Sequence, residues 1–179
     1  MQPASKINLV DYIRSIPDFP KPGILFRDMT PLLAHPQAFR QAIGELALRV
    51  ADWKVDVVAA AEARGFLLAA PLAIELGASL VPVRKRGKLP FRTVSHTYEL
   101  EYGTDTLEIH VDAISPGARV LVVDDLLATG GTIRACCELA EKVGGTVVGC
   151  AFLIELAGLE GAKRIAGYNK VSLITYEGA

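Results

Sequence analysis

The fold of this chain is decided by the stretch Val120-Leu121-Val122-Val123-Asp124-Asp125-Leu126-Leu127-Ala128-Thr129-Gly130-Gly131-Thr132. Its first four residues are apolar and three of them are β-branched, which is typical of a strand buried on both faces of a parallel sheet. Two carboxylates close that strand, and a small turn with two glycines follows. Residues 133–143 then have helical spacing and end at Gly144-Gly145. The stretch therefore predicts a strand, a turn and a helix.

This order of elements forms an anion site at the phosphate turn, Ala128–Thr132. The first amides of a helix have no intrahelical partner, and the helix dipole adds partial positive charge there. Gly130 and Gly131 let the backbone approach a ligand, and the hydroxyls of Thr129 and Thr132 add donors. We expect a phosphate monoester here, with the preceding acids facing sugar hydroxyls or a bound metal. The alternative is a tight turn beside a solvated acid pair.

Two further turns that suit anions follow predicted strands. Strand 55–61 leads into the arginine turn, residues 62–66, where Arg64 beside free helix amides suits a diphosphate. Strand 79–84 leads into the basic run, residues 84–88, which is a local positive patch. Because ligands bind at the carboxyl ends of parallel strands, we expect all three turns at one edge of the sheet. Considered alone, Arg64 would be interpreted as a surface or capping residue. The basic run alone would be interpreted as a solvated face or a nucleic-acid contact.

The remaining chain is predicted to contain a hood and a flap. In the N-terminal hood, residues 1–35, a short helix is predicted over 5–16, and the proline-rich segment 17–28 is predicted to follow a rigid, irregular path on which Phe26 offers a stacking face. An N-terminal arm held by its own side chains is the alternative. In the flap, residues 87–110, two alternating runs predict mobile paired strands that exclude water.

The predicted fold class is α/β, with a doubly wound, mainly parallel sheet. Its four or five apolar strands alternate with helices, which are expected at 36–51, from 66 to about 76, at 133–143 and near 159–166. The last two strands are expected at 146–154 and 171–175. A chain of 179 residues suits a single domain, 1–179.

Composition limits the classes of partner. The net charge is −1, from 19 basic and 20 acidic residues, which gives no general attraction to nucleic acid. No apolar run reaches the ~18 residues of a membrane span, and no apolar segment marks a signal peptide. We therefore expect a cytoplasmic protein that binds neither membrane nor nucleic acid. The three cysteines match no metal spacing and are expected to be buried free thiols.

Five motifs together resemble the adenine phosphoribosyltransferase family, a branch of the type I phosphoribosyltransferases. They are Pro-Asp-Phe-Pro-Lys-Pro-Gly-Ile-Leu-Phe-Arg-Asp (17–28), Glu-Ala-Arg-Gly-Phe (62–66), Val-Arg-Lys-Arg-Gly-Lys-Leu-Pro (83–90), Tyr-Glu-Leu-Glu-Tyr-Gly (98–103) and Val-Val-Asp-Asp-Leu-Leu-Ala-Thr-Gly-Gly-Thr (122–132). The resemblance implies a purine salvage enzyme in which adenine and phosphoribosyl diphosphate, with Mg²⁺, give AMP and diphosphate. It also implies a homodimer.

The resemblance assigns the substrate-binding residues by the group that each contacts. The implied contacts are Ala128, Thr129, Gly130, Gly131 and Thr132 for the 5′-phosphate; Asp124 and Asp125 for the ribose hydroxyls; Ala63, Arg64 and Gly65, with Lys85, Lys88 and, across the dimer interface, Arg84, for the diphosphate; and Leu25, Phe26, Arg27 and Leu126 for adenine.

The resemblance also implies the catalytic groups. Glu101 and Tyr102 of the flap are the candidates placed near the base, and Arg64 is the third catalytic candidate. Glu101 is expected to manage protons on the imidazole ring of adenine, as a general base or as a hydrogen-bond partner of N7. Mg²⁺ is expected to bind mainly through the substrate diphosphate and water, without a direct protein ligand.

Two alternatives remain open. An enzyme for another nucleobase would keep the ribose-side motif, and only segment 17–28 favours adenine. A non-catalytic regulator that senses phosphoribosyl diphosphate would need a DNA-binding extension with a basic surface.

Overall fold

The computed structural model describes residues 7–99 and 103–178, and nine strands lie within them. The strands are β1 (Arg14–Pro17), β2 (Leu25–Asp28), β3 (Val57–Ala61), β4 (Ser79–Lys85), β5 (Thr93–Glu99), β6 (Thr104–His110), β7 (Arg119–Leu127), β8 (Thr146–Leu156) and β9 (Lys170–Tyr176). Seven of them form one sheet in the order β5-β6-β4-β3-β7-β8-β9, and β1 pairs with β2 in a separate antiparallel sheet. Strands β4, β3, β7, β8 and β9 are parallel, so their carboxyl ends share one edge.

The helices cover both faces of the large sheet. They are α1 (Thr30–Ala34), α2 (Pro36–Val50), α3 (Gly65–Leu76), α4 (Gly131–Lys142) and α5 (Gly161–Arg164), with 3₁₀ turns at Leu9–Tyr12, Ala51–Trp53 and Ala157–Leu159. Among the described residues, none of the helices has the length and apolar character needed to cross a membrane.

Alternate side chains of β7 enter two apolar cores on opposite faces of the sheet. Leu121 and Val123 pack with α1, α2 and α3, whereas Val120 and Val122 pack with α4. This two-sided burial explains why the strand consists almost entirely of apolar residues. The predicted doubly wound, mainly parallel sheet is confirmed. The three cysteines are buried free thiols in the second core, as predicted.

The prediction for the start of the chain is wrong in two respects. Residues 9–12 form only a 3₁₀ turn, and 14–17 form strand β1 instead of the end of a helix. Part of the segment predicted to be irregular forms β2, and the pairing joins Ile16 to Phe26. The apolar spacing near the N-terminus is compatible with a helix. The backbone partner that makes it a strand lies about ten residues further along, where local periodicity gives no information about it.

Strand β7 is longer than the sequence predicts. It continues through Asp124 and Asp125 to Leu127, because β8 pairs with it as far as Glu155. The two carboxylates therefore lie within the strand and do not close it. The two paired strands predicted for the flap are β5 and β6, which form an antiparallel hairpin whose described pairs run from Thr93–His110 to Glu99–Thr104.

Candidate active site

Three turns leave the carboxyl edge of the sheet side by side, because β4, β3 and β7 are adjacent and parallel. Ion pairs join the turns. The Nε atom of Arg64 lies 2.6 Å from Oδ2 of Asp125, which links the arginine turn to β7. The Nε atom of Arg84 lies 2.6 Å from Oε2 of Glu62, which links the basic run to the arginine turn. The structure thus brings the three anion-binding candidates into one site.

The phosphate turn leaves backbone donors available at the start of α4. Gly130 precedes the helix with φ of +80°, a left-handed conformation that glycine adopts without strain. The amide of Arg134 donates to the Gly130 carbonyl at 3.0 Å, so the amides of residues 131–133 precede the first helical bond. No described side chain caps this end of the helix. A cavity of about 200 Å³ opens here, lined by Arg64 and residues 124–133.

Helix α5 supports the phosphate turn from outside. A Cβ atom on Gly161 would lie 2.1 Å from the carbonyl oxygen of Ala128, and one on Gly130 would lie 2.6 Å from the carbonyl oxygen of Gly161. Both distances are far below van der Waals contact, so the two backbone segments touch only because glycine occupies both positions. This contact is not predictable from the sequence, since nothing local to residue 161 indicates what packs against it.

The paired aspartates differ in their surroundings. Asp125 is buried, with 5% of its surface exposed, and it accepts the hydrogen bond from Arg64. Asp124 is partly buried, and its Oδ1 accepts from the Asp125 amide at 2.9 Å. Burial, together with the neighbouring Asp125 carboxylate, raises the pKa of Asp124 well above its usual value. A Cβ atom on Gly65 would lie 2.9 Å from Asp124 Oδ1, so glycine is required beside this carboxylate.

Two cations of the basic run, Arg84 and Lys85, form ion pairs with carboxylates. Besides its pair with Glu62, Arg84 donates from Nη1 to the carbonyl of Lys88 at 3.2 Å. The Nζ atom of Lys85 lies 3.3 Å from Oδ2 of Asp105 in the flap strand β6. Lys88 is exposed. The run therefore carries positive charge at the edge of the site and is connected both to the arginine turn and to the flap.

The hood places an aromatic ring against the arginine turn. The guanidinium carbon of Arg64 lies 5.4 Å from the centroid of the Phe26 ring, within the range of a cation–π contact. Leu25 and Arg27 flank Phe26 in β2, and their partners in β1 fix the path of this segment. The guanidinium of Arg27 stacks on Tyr176 of β9 at 3.7 Å. The two-stranded sheet thus contacts the arginine turn through Phe26 and strand β9 through Arg27.

Flap strand β5 lies along helix α4. The hydroxyl of Tyr98 is 3.2 Å from the hydroxyl of Thr132, and burial raises the pKa of Tyr98. His96 contacts Glu138 through Nε2 at 3.0 Å and Lys142 through Nδ1 at 2.9 Å. None of these contacts was predicted from the sequence. The alternation that puts His96 and Tyr98 on one face of the strand is the signal that could have indicated them.

Of the other predicted site residues, Leu126 and Thr129 line the cavity and Ala63 is exposed in the arginine turn. The catalytic candidates Glu101 and Tyr102 lie outside the described residues. Within residues 7–99 and 103–178, no group of three or more His, Cys, Asp or Glu side chains is arranged to hold a metal ion.

Similarity to known proteins extends over nearly the whole chain. Residues 29–177 match the family model of the phosphoribosyl transferase domain. The adenine phosphoribosyltransferase of Rhodopirellula baltica is 56% identical over 177 residues, which covers 99% of this chain and 86% of that relative. The chain belongs to the adenine phosphoribosyltransferase family.

Solved structures of adenine phosphoribosyltransferases have the same fold. The enzyme of Thermoanaerobacter pseudethanolicus is 55% identical with a TM-score of 0.92, and the match covers 94% of this chain and 98% of that one. The enzyme of Saccharomyces cerevisiae, solved with adenine and an imino-altritol bisphosphate, is 38% identical with a TM-score of 0.87, covering 92% and 96%. The family predicted from the motifs is confirmed. As a member of this family, the chain is a glycosyltransferase.

Proposed function

We propose that this site transfers the 5-phosphoribosyl group of phosphoribosyl diphosphate to adenine, which gives AMP and diphosphate in purine salvage. The observation that carries the proposal is the phosphate turn, where available helix amides and a cavity lie beside Asp124 and Asp125. Membership of the adenine phosphoribosyltransferase family supports the reaction, and the yeast relative solved with adenine supports the choice of base.

The ribose phosphate binds along the carboxyl end of β7. The amides of the phosphate turn and the hydroxyls of Thr129 and Thr132 donate to the 5′-phosphate, whose charge the helix dipole favours. Asp124 and Asp125 accept from the ribose hydroxyls. Substitution at the anomeric carbon develops positive charge on the sugar ring, so carboxylates beside the ring stabilise the transition state more than the ground state.

The leaving diphosphate is held by the arginine turn and the basic run. Arg64, with the backbone of Ala63 and Gly65, and the side chains of Lys85 and Lys88 offset its charge. Since Arg64 and Lys85 pair with carboxylates in the structure, they exchange those partners for diphosphate oxygens when the substrate binds. Arg84 would act from the other subunit of a dimer.

Mg²⁺ fits this set of donors. It prefers oxygen ligands, which the substrate diphosphate and water provide, and the carboxylates of the site lie nearby. When bound, the ion offsets negative charge on the leaving diphosphate. The protein residues of the basic run supply the remaining positive charge on that side.

Adenine binds between the hood and the end of β7. Phe26 and Leu126 provide its two apolar faces, and the backbone groups of Leu25 and Arg27 read its polar edge. Phe26 is already held against Arg64 and, at 5.2 Å between ring centroids, against Phe19. A preformed ring of this kind lowers the entropy cost of binding a flat base.

Glu101 and Tyr102 act on the base from the flap. A general acid–base group contributes about 10²–10⁴ in rate, so Glu101→Gln should lower kcat within that range while both KM values change less. Glu99→Gln is the matched control, because Glu99 is an exposed acid two positions earlier in the flap sequence. A Glu101→Gln enzyme with wild-type kcat would remove Glu101 from the mechanism.

The enzyme works as a cytoplasmic homodimer of single domains, 1–179. Exposed apolar side chains support the dimer: 83% of Ile74, 48% of Leu67 and 42% of Leu80 are exposed on α3 and the start of β4. An apolar surface of this kind is typical of a subunit contact. Ile74→Glu should yield monomers in sedimentation velocity, and an unchanged sedimentation coefficient would place the dimer contact elsewhere.

The test of the reaction is AMP formation from adenine, phosphoribosyl diphosphate and Mg²⁺, followed by chromatography. Hypoxanthine, guanine, xanthine and uracil are supplied in parallel. AMP formation that exceeds every other product supports the proposal, whereas turnover of another base in preference to adenine would reject the assigned substrate.

A further inference from the structure

We propose that Arg164, at the end of α5, is a further binding residue for the 5′-phosphate of the substrate. The inference rests on the proposed function, because the proposed function assigns the 5′-phosphate to the phosphate turn. It adds a second arginine, besides Arg64, to a cradle whose other donors are neutral, namely the helix amides and the hydroxyls of Thr129 and Thr132.

The position of the guanidinium carries the inference. Its Nη1 atom lies 3.2 Å from the point that a Cβ atom on Gly131 would occupy, so the group rests against the first residue of α4. Arg164 and Thr129 also line a second cavity, of about 380 Å³, which shares Thr129 with the cavity at the phosphate turn. The guanidinium therefore approaches the amides that receive the phosphate.

Helix α5, which carries Arg164, is packed tightly against the phosphate turn. Helix α5 cannot move away freely, because Gly161 packs on the backbone of Ala128 and Gly130 without room for a side chain. The residue that fixes α5 to the phosphate turn lies one helical turn before Arg164. A short helix that is locked to the turn thus delivers an arginine to it, and a guanidinium suits phosphate because its donors match two oxygens at once.

The charge of Arg164 is available. Two other cations near the turn are engaged: Arg64 with Asp125, and Lys163 with Glu160 at 2.5 Å. Arg164 is exposed and has no hydrogen bond or ion pair with another described residue. A phosphate dianion in the cradle would supply its partner, and the guanidinium would offset the repulsion between that phosphate and the nearby aspartates.

Binding of four ligands to the full-length protein tests this assignment by calorimetry. Ribose 5-phosphate and AMP carry the 5′-phosphate, whereas adenine and inorganic diphosphate do not. Arg164→Ala should weaken ribose 5-phosphate and AMP by about 10-fold, the loss of one exposed charge-assisted contact, and leave the other two ligands within about 2-fold. Arg164→Lys should recover part of the loss, since it restores the charge without the paired donors.

Lys163→Ala is the matched control, because it removes an exposed cation one residue earlier that is already paired with Glu160. It should leave all four dissociation constants within about 2-fold. An Arg164→Ala protein that binds ribose 5-phosphate like the wild type, or that loses all four ligands equally, would overturn the assignment while AMP formation by the wild type still stands. A wild-type protein that forms no AMP and binds no ribose 5-phosphate would overturn the proposed function as well.

Discussion

The contact between Gly161 and the phosphate turn makes Gly161→Ala the most informative single change. The new Cβ atom would lie 2.1 Å from the Ala128 carbonyl oxygen, whereas ordinary contact begins at 3.4 Å, so the two backbones must separate by about 1.3 Å. Neither partner is a flexible side chain that could rotate away. The displaced backbone belongs to the turn whose amides hold the 5′-phosphate in the proposed function.

The expected cost follows from this displacement. Overpacking of a fitted contact costs about 1–3 kcal/mol of unfolding free energy, which in a chain of this size lowers Tm by about 2–12 °C. Displacement of a binding group by about 1 Å costs on the order of 10²-fold in catalysis. We therefore expect kcat/KM for phosphoribosyl diphosphate to fall about 100-fold, with KM for adenine changed less.

The assays are thermal unfolding followed by circular dichroism and initial rates of AMP formation. Gly44→Ala is the matched control, because Gly44 lies inside helix α2 and a Cβ atom there meets no atom within 4 Å. That change should raise the unfolding free energy by about 0.5–1 kcal/mol and leave the rate unchanged. A Gly161→Ala enzyme with wild-type Tm and kcat/KM would refute the close packing of α5 on the phosphate turn.

Three other predictions concern the aspartates, the flap and the thiols. The folded-state pKa of Asp124 is raised, so the native state binds this proton more tightly than the unfolded chain, and stability falls as pH rises from about 4 through the folded-state value. Asp124→Asn should therefore raise the unfolding free energy above that of the wild type at pH 7, and urea titrations should show that this difference disappears below about pH 4. The same substitution should abolish most AMP formation. A mutant as stable as the wild type at both pH values would contradict the burial of this charge. His96→Ala removes the contacts of β5 with Glu138 and Lys142, so amide hydrogen exchange should accelerate in Thr93–Glu99 but not in α4. Unchanged exchange in Thr93–Glu99 would show that these contacts do not hold the flap strand against α4. All three thiols are buried, so a thiol reagent should label none in the native protein and three after denaturation, and rapid native labelling would contradict the packing behind α4.

Local patterns were sufficient for the centre of the fold. The apolar run before Asp124, the acids and the glycine turn specify a strand, a turn and a helix within about twenty residues, and helix 36–51 was predictable from the same kind of spacing. The three anion turns could be expected at one edge because parallel strands share the direction of their ends.

Contacts between distant segments could not be predicted in this way. Strand β1 exists because β2 pairs with it, and β7 extends to Leu127 because β8 continues beside it. The support of the phosphate turn by Gly161 joins positions more than thirty residues apart in sequence, and the link from Tyr98 to Thr132 spans 34 residues. Such partners become visible only when the sheet order is known.

The most direct test of the central claim is a crystal structure of the protein with phosphoribosyl diphosphate and Mg²⁺. We expect the 5′-phosphate on the amides of Ala128–Thr132 and the ribose hydroxyls within hydrogen-bonding distance of Asp124 and Asp125. A phosphate bound away from the start of α4, or both carboxylates directed into bulk solvent, would contradict the account.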